Sequence, residues 1–197
     1  MNFIKEECLN NYIGGSKNSI IKNSKIIGDN LFSSIVNLEI EINPEIFGPN
    51  IRYELIKKYK EKYEGKVYYL FYIVKINTYP LENKKLPLIP ETMIMRNNLE
   101  VVFYTVNKDS IIELSLIFIE KDKIIYIKAQ NEYISCDLLP SSNYRLTQTN
   151  NNYEIIFING KTLKEKDKCF IKIININSSN DCQTNYLICE GEFVIDS

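Results

Sequence analysis

The sequence predicts an α+β protein, with a small N-terminal sheet that carries one main helix and a five-stranded β-barrel after it. Between Val36 and Ile42, apolar residues alternate with polar ones, which is the pattern of a half-buried strand. Residues 51–63 show helical spacing of apolar side chains and end before Gly65, a residue suited to the backbone beyond a helix C-terminus. From residue 107 onward, short apolar runs alternate with polar turns, and helical periodicity is nearly absent.

Composition narrows the functional classes. The chain has 197 residues, of which 45% are hydrophobic and 25% charged, as is typical of a soluble globular protein with a core. A formal net charge of −1 argues against a basic nucleic-acid arm, so any nucleic-acid binding requires a local patch. Five cysteines without any histidine cannot complete a zinc set of the Cys-His type or a Ser-His-Asp triad. We therefore expect an intracellular protein with free thiols, no cofactor, no bound metal, no membrane segment and no catalytic residue of its own.

Three segments follow from these patterns. Residues 1–30 are rich in Asn, Ser and Lys and are predicted to be an N-terminal extension with little structure of its own. Residues 31–104 form the α+β domain, in which a proline-punctuated loop over 78–90 precedes the last strand. Residues 105–197 form the barrel domain, with a polar surface insertion over 141–152. Several short strands with a mid-chain insertion are typical of a small barrel of the OB type.

The segment around the helix resembles a known protein family. Its motif combines a strand start, a proline-containing turn and a helix stop, in the order Leu31-Phe32, Asn43-Pro44-Glu45-Ile46-Phe47-Gly48-Pro49-Asn50 and Glu64-Gly65. This order is similar to the beginning of the stalk subunit of multisubunit DNA-dependent RNA polymerases, the family of the seventh subunit of RNA polymerase II and its archaeal counterpart. The similarity extends over the barrel with lower specificity. The reduced barrel resembles most the divergent versions in cytoplasmic large DNA viruses such as poxviruses.

This resemblance implies a non-catalytic subunit of a DNA-directed RNA polymerase. In that family the N-terminal domain docks near the clamp and supports transcription initiation, and the barrel offers a surface to the nascent transcript. The implied partners are the large and small polymerase subunits and nascent RNA, whereas the existence of a fourth-subunit partner stays an open question. A viral protein of this kind would be found in the host cytoplasm and the virion, and a cellular one in the nucleus.

Two proline-containing segments hold the candidate polymerase-docking residues. They are Phe47, Gly48, Pro49 and Asn50 in the turn before the helix, and Pro80, Leu81, Leu86 and Pro87 in the loop that the resemblance matches to the family's inserted tip. Exposed leucines flanked by prolines suit a pre-ordered docking element, and a disordered linker is the alternative. For the turn, a structural role that packs Phe47 under the helix is the preferred interpretation, and partner contact is compatible with it.

Four residues on the first barrel hairpin are the candidate nucleic-acid contacts, namely Lys121, Lys123, Tyr126 and Lys128. The lysines would neutralise phosphates, and the tyrosine would stack on a base. Because Glu120, Asp122 and Glu132 dilute this patch, a solvated surface is the preferred interpretation. A stand-alone OB-type single-stranded nucleic-acid-binding protein is the alternative function, and a polymerase scaffold without nucleic-acid contact is a third.

Overall fold

The computed structural model describes residues 21, 24–43, 45, 48–77, 93–149, 152–177 and 184–194. Of these residues, 64% lie in strands and 10% are helical. The helix is α1 (Ile51–Tyr63). The strands of the described chain, in order, are β1 (Lys25–Gly28), β2 (Leu31–Ile42), β3 (Lys66–Tyr68), β4 (Phe71–Asn77), β5 (Met93–Tyr104), β6 (Ile111–Lys121), β7 (Ile124–Gln130), β8 (Ile134–Leu138), β9 (Tyr144–Thr149), β10 (Asn152–Phe157), β11 (Thr162–Lys164), β12 (Lys168–Asn177) and β13 (Leu187–Phe193).

These strands form three sheets. One sheet has the order β1-β2-β5-β4-β3, a second has the order β11-β10-β9, and β12-β13-β8-β7-β6 close into a barrel. The predicted α+β class, with a small sheet around one main helix and a single C-terminal five-stranded OB-like barrel, is therefore wrong. The described chain is mostly β and has a third sheet. The prediction gave the helix too much weight, because two strands of 12 residues, β2 and β5, dominate the N-terminal sheet.

The helix covers one face of the five-stranded sheet. Strand β2 buries four alternating apolar side chains, Val36, Leu38, Ile40 and Ile42. Helix α1 packs Leu55, Tyr59 and Tyr63 into the same core. The hydroxyl of Tyr63 donates to the carbonyl of Glu39 at 2.6 Å, and that of Tyr59 donates to the carbonyl of Leu38 at 3.3 Å. Each of these two tyrosines thus buries its ring in the core and also forms a hydrogen bond with the β2 backbone.

Backbone geometry explains where the helix begins and ends. The carbonyl of Gly48 accepts the N–H of Ile51 at 3.1 Å, which closes the turn before the first helical residue. Beyond the helix, Gly65 has a φ of 74°, a conformation that residues with a Cβ rarely adopt. The carboxylate of Glu64 accepts the N–H of Ile76 at 2.6 Å and so connects this turn to β4. The predicted helix over 51–63 and its stop at Gly65 are confirmed.

Strand β1 lies within the segment that was predicted to be an extension with little structure. It is an edge strand, and it pairs antiparallel with β2 with Ile26 opposite Phe32. The side chain of Ile26 is 73% exposed, so pairing of the backbone rather than burial holds this strand. Hydrophobicity alone therefore gave no basis for predicting it.

The predicted polar insertion contains a strand of the three-stranded sheet. Strand β9 pairs antiparallel with β10, with Leu146 opposite the buried Ile155 and Tyr144 opposite the buried Phe157. Because the side chains of β9 are half-buried or exposed and several are Thr, Gln or Arg, its composition looks like that of a loop. Its strand character depends on a partner that follows it in the chain.

The barrel is closed by antiparallel pairs and by one parallel pair, β8 with β13. Its strands bury a compact set of apolar side chains, Ile112, Leu114, Leu116, Ala129, Ile134, Cys136, Leu138, Cys169, Ile171, Ile173, Leu187 and Cys189. Gly191 lies opposite Ile173 on β12 and Leu138 on β8. A Cβ atom added there would come within 2.6 Å of Ile171 and 2.8 Å of Cys136, so only glycine fits.

Contacts divide the chain into two compact units between Thr105 and Val106. The first unit holds the five-stranded sheet and α1, together with Thr184 and Asn185 from the connection between β12 and β13. The second unit holds the three-stranded sheet and the barrel.

Candidate nucleic-acid interface

The outer side of the β6–β7 hairpin forms one continuous surface of the barrel. Leu116 and Ala129 are paired across the hairpin and are completely buried, so they face the barrel interior. Since side chains alternate along a strand, the intervening positions face outward. The outward cross-strand pairs are Ile117 with Lys128, Ile119 with Tyr126, and Lys121 with Ile124. We call these six residues the hairpin face.

Apolar side chains occupy the middle of the hairpin face. Tyr126 is 46% exposed, and its cross-strand neighbour Ile119 is 41% exposed. Ile124, the next outward-facing residue of β7 towards the turn, is 55% exposed. Directly opposed residues have Cβ atoms about 5 Å apart, so the ring and the isoleucines make a shared apolar platform. A platform of this kind can stack the face of a base without selecting its sequence.

The predicted lysines differ in how free they are to meet a phosphate. Lys121 ends β6 and Lys123 lies in the turn, and both are exposed. By contrast, the ammonium of Lys128 lies 2.7 Å from a carboxylate oxygen of Asp137 on β8. An ion pair this close already neutralises Lys128, so a phosphate would have to compete with Asp137.

The turn of this hairpin has an uncommon backbone. Asp122 and Lys123 have φ values of 53° and 66°, as a two-residue mirror-type turn requires. Glycine or asparagine normally occupies such positions. The hairpin that the sequence predicts here is confirmed, with Asp122 and Lys123 as its two turn residues. The turn places the strands in direct register up to the pair of Lys121 with Ile124.

Glu120 does not dilute the hairpin face, contrary to the expectation from sequence. It alternates with Ile119 and its carboxylate accepts the hydroxyl of Tyr153 from β10 at 2.8 Å. This hydrogen bond is the main cause that raises the pKa of Tyr153 above its ordinary value. Glu120 is therefore engaged with the three-stranded sheet. Asp137 lowers the positive charge of the hairpin face through Lys128, and Asp122 stays exposed in the turn between Lys121 and Lys123.

The predicted docking turn is described only in part. Gly48, Pro49 and Asn50 are all exposed, and Asn50 precedes α1 without a side-chain capping hydrogen bond. A Cβ atom added at Gly48 would meet nothing within 4 Å. Phe47 and the predicted loop residues Pro80, Leu81, Leu86 and Pro87 lie outside the described residues.

Buried thiols of the barrel are poor nucleophiles. Burial raises the pKa of Cys136 to about 12 and that of Cys169 to about 11. Both are therefore protonated at neutral pH, whereas reactive cysteines need a thiolate. Within the described ranges, no group of three or more His, Cys, Asp or Glu side chains is arranged to hold a metal ion. In the same part of the chain, no helix is long and apolar enough to cross a membrane.

Sequence reasoning missed two pairs of residues. Ile119 and Ile124 belong to the hairpin face, and strand alternation around Tyr126 could have identified them. Phe157 and Phe193 come together from distant strands with ring centroids 5.1 Å apart, and no local pattern indicates that contact.

Comparison with known proteins gives no assignment. No protein-family model matches the chain, and no curated protein matches it.

Proposed function

We propose that this chain is a non-catalytic, stalk-type subunit of a multisubunit DNA-dependent RNA polymerase. One observation carries the proposal, namely the order of a long strand, an exposed Gly48-Pro49-Asn50 turn, helix α1 and the glycine stop at Gly65. That order is the part of the chain that resembles the stalk family. The large polymerase subunits would perform the chemistry, while this chain would contribute surfaces for assembly.

The exposed turn supports a role in docking. Gly48, Pro49 and Asn50 are all exposed, so a partner can reach them. Proline restricts the backbone before binding occurs, so less conformational entropy is lost on docking. The turn therefore offers a rigid surface that costs little to immobilise against a partner.

Purification of a tagged chain from its own source cells tests this function. The large polymerase subunits, identified by mass spectrometry, should co-purify in stoichiometric amounts. The variant Gly48→Arg places a long cation on the turn, and the open space around Gly48 means that it should fold normally. Its recovery of polymerase subunits should fall at least about 10-fold, which corresponds to about 1.4 kcal/mol.

Asp29→Arg is the matched control, because Asp29 is also exposed in a turn of the same unit. It should recover polymerase as the wild type does. The proposal fails if the purified chain brings down no polymerase subunits. If Gly48→Arg and Asp29→Arg recover the polymerase subunits equally well, the turn at Gly48 is not the docking surface.

The hairpin face favours a second candidate function, a stand-alone protein that binds single-stranded nucleic acid. Tyr126, Ile119 and Lys121 combine a stacking platform with an unneutralised cation on one surface. Fluorescence anisotropy with labelled oligo(U) would measure it. With two phosphate contacts, from Lys121 and Lys123, affinity should fall roughly 7-fold between 50 and 200 mM salt.

Tyr126→Ala should weaken this binding about 10-fold or more, since stacking on an aromatic ring contributes ~1–3 kcal/mol per base. Tyr53→Ala serves as the control, because Tyr53 is 69% exposed on α1, in the other unit. Equal losses in the two variants would show that the hairpin face is not the site. Absence of binding at low salt would exclude this second function and leave the polymerase proposal untouched.

A further inference from the structure

A small recess opens in the second unit beside the last two barrel strands. It has a volume of about 80 Å³ and is lined by residues of β10 to β13 and their connections, chiefly Phe157, Lys161, Leu163, Lys168, Phe170 and Phe193. We call it the Phe193 recess. None of these residues belongs to the hairpin face or to the docking turn.

Its aromatic walls are held in place before any ligand arrives. Phe157 and Phe193 pack edge to face, with ring centroids 5.1 Å apart and an angle of 88° between the ring planes. Tyr144 packs against Phe193 at 5.3 Å and 82°, and its hydroxyl donates to the carbonyl of Leu139 at 3.0 Å. Preformed walls lose little freedom on binding, which favours affinity even for a small contact.

Size and shape restrict what can enter. A cavity of ~150 Å³ is known to accommodate benzene, and the recess, at about 80 Å³, is about half as large. The volume therefore suits one branched aliphatic side chain better than a nucleobase. In addition, the rings of Phe157 and Phe193 are nearly perpendicular, so they cannot sandwich a flat base between them.

The charged residues that line the recess are lysines. Lys161 and Lys168 line the recess together with apolar residues and no carboxylate. Lys168 is paired with Glu113 at 2.8 Å, whereas the exposed Lys161 has no ion pair among the described residues. Lys161 also acts on the buried thiol of Cys169. Burial is the largest cause and raises the pKa of Cys169, the carboxylates of Asp167 and Glu113 raise it further, and the charge of Lys161 partly lowers it. Lys161 and Cys169 line the same recess.

We propose that the Phe193 recess is a docking site for an acidic peptide segment of a partner protein, which inserts one aliphatic side chain and places a neighbouring carboxylate against Lys161. Phe170, which is 50% exposed, completes the rim on which the peptide backbone lies. The apolar insertion supplies affinity, and the lysine selects acidic flanks. This site is independent of the polymerase proposal and would stand if that proposal failed.

Nuclear magnetic resonance titration of the full ¹⁵N, ¹³C-labelled chain tests the site. The probe is the peptide acetyl-Glu-Asp-Leu-Asp-Glu-amide, added to millimolar concentration. Signals of Leu163, Cys169, Phe170 and Val194 should shift and saturate with a Kd on the order of 1 mM. Two control peptides, one with Ser in place of Leu and one with Lys in place of each acidic residue, should shift them at least about 5-fold less.

Two variants with matched controls test the residues. Lys161→Glu should weaken binding about 10-fold, and Lys166→Glu, at an exposed lysine outside the lining, should not. Phe170→Ala should weaken binding similarly, and Ile158→Ala should not, although Ile158 is 79% exposed. The proposal is overturned if the peptide shifts no signals of the recess, or if Lys161→Glu binds as the wild type does. It is also overturned if oligo(U) shifts these signals and the peptide does not.

Discussion

The substitution Gly191→Ala tests the packing of the barrel directly. Gly191 is buried on β13, and its φ lies outside the left-handed region, so alanine is acceptable to the backbone there. The neighbouring atoms, however, leave no space for the Cβ atom of alanine. A Cβ atom would lie 2.6 Å from Ile171 Cγ2, 2.8 Å from Cys136 Sγ and 2.9 Å from the carbonyl oxygen of Lys172.

The expected cost follows from these three distances. All are shorter than ordinary contacts, and the backbone carbonyl of Lys172 cannot rotate away as a side-chain end can. Overpacking of a well-packed core costs about 1–3 kcal/mol, and the rigid neighbour favours the upper end of that range. For a chain of this size, each kcal/mol lowers Tm by about 2–4 °C.

Urea unfolding, followed by circular dichroism and tyrosine fluorescence, measures the free energy of unfolding. Gly48→Ala is the matched control, because the same methyl group meets nothing within 4 Å there. It should change stability by less than about 0.5 kcal/mol. If Gly191→Ala were as stable as Gly48→Ala, the close approach of β13 to Ile171 and Cys136 would be refuted. A double variant with Cys136→Ala should be less destabilised than the sum of the single variants, since one of the three clashes is removed.

Two further predictions concern buried groups. Burial raises the pKa of Tyr59 to about 12, so the unfolded chain releases this phenolic proton near pH 10 while the folded chain still holds it. The free energy of unfolding should therefore fall as the pH rises through this window. Between about pH 9 and pH 11, Tyr59→Phe should lose less stability than Tyr53→Phe, measured as urea midpoints. An equal loss in the two variants would contradict the burial of Tyr59. In a Cys8→Ser, Cys182→Ser background, the three buried thiols, Cys136, Cys169 and Cys189, should react with a thiol reagent only after unfolding, and rapid reaction of the native protein would refute their burial.

Local patterns were sufficient for the centre of the first unit. Alternation from Val36 to Ile42 and helical spacing over 51–63 each depend on residues that are close in sequence. Gly65 needs only its own backbone conformation, with a φ of 74°, to end the helix region. These elements could therefore be predicted from the sequence without knowing what packs against them.

Strands that depend on distant pairing partners could not be predicted from local patterns. β9 contains Arg145, Thr147 and Gln148, and it is a strand because β10 pairs with it. β1 is largely exposed and is held by its pairing with β2. The mistaken fold class has the same origin, since these strands belong to sheets whose pairing no single segment encodes.

The candidate sites show the same division between local and distant information. Parity along β7 puts Tyr126 and Lys128 on one side of the strand, and this follows from sequence. Whether Lys128 can neutralise a phosphate depends on Asp137, which β8 brings into register opposite it. Whether Glu120 opposes nucleic acid depends on Tyr153, which the three-stranded sheet supplies. The charge available on the hairpin face is thus decided by partners from other strands, which a count of lysines and acids along the hairpin cannot give. For the same reason Tyr126→Ala tests nucleic-acid binding better than Lys128→Ala, because loss of Lys128 would also release Asp137 and add negative charge to the face.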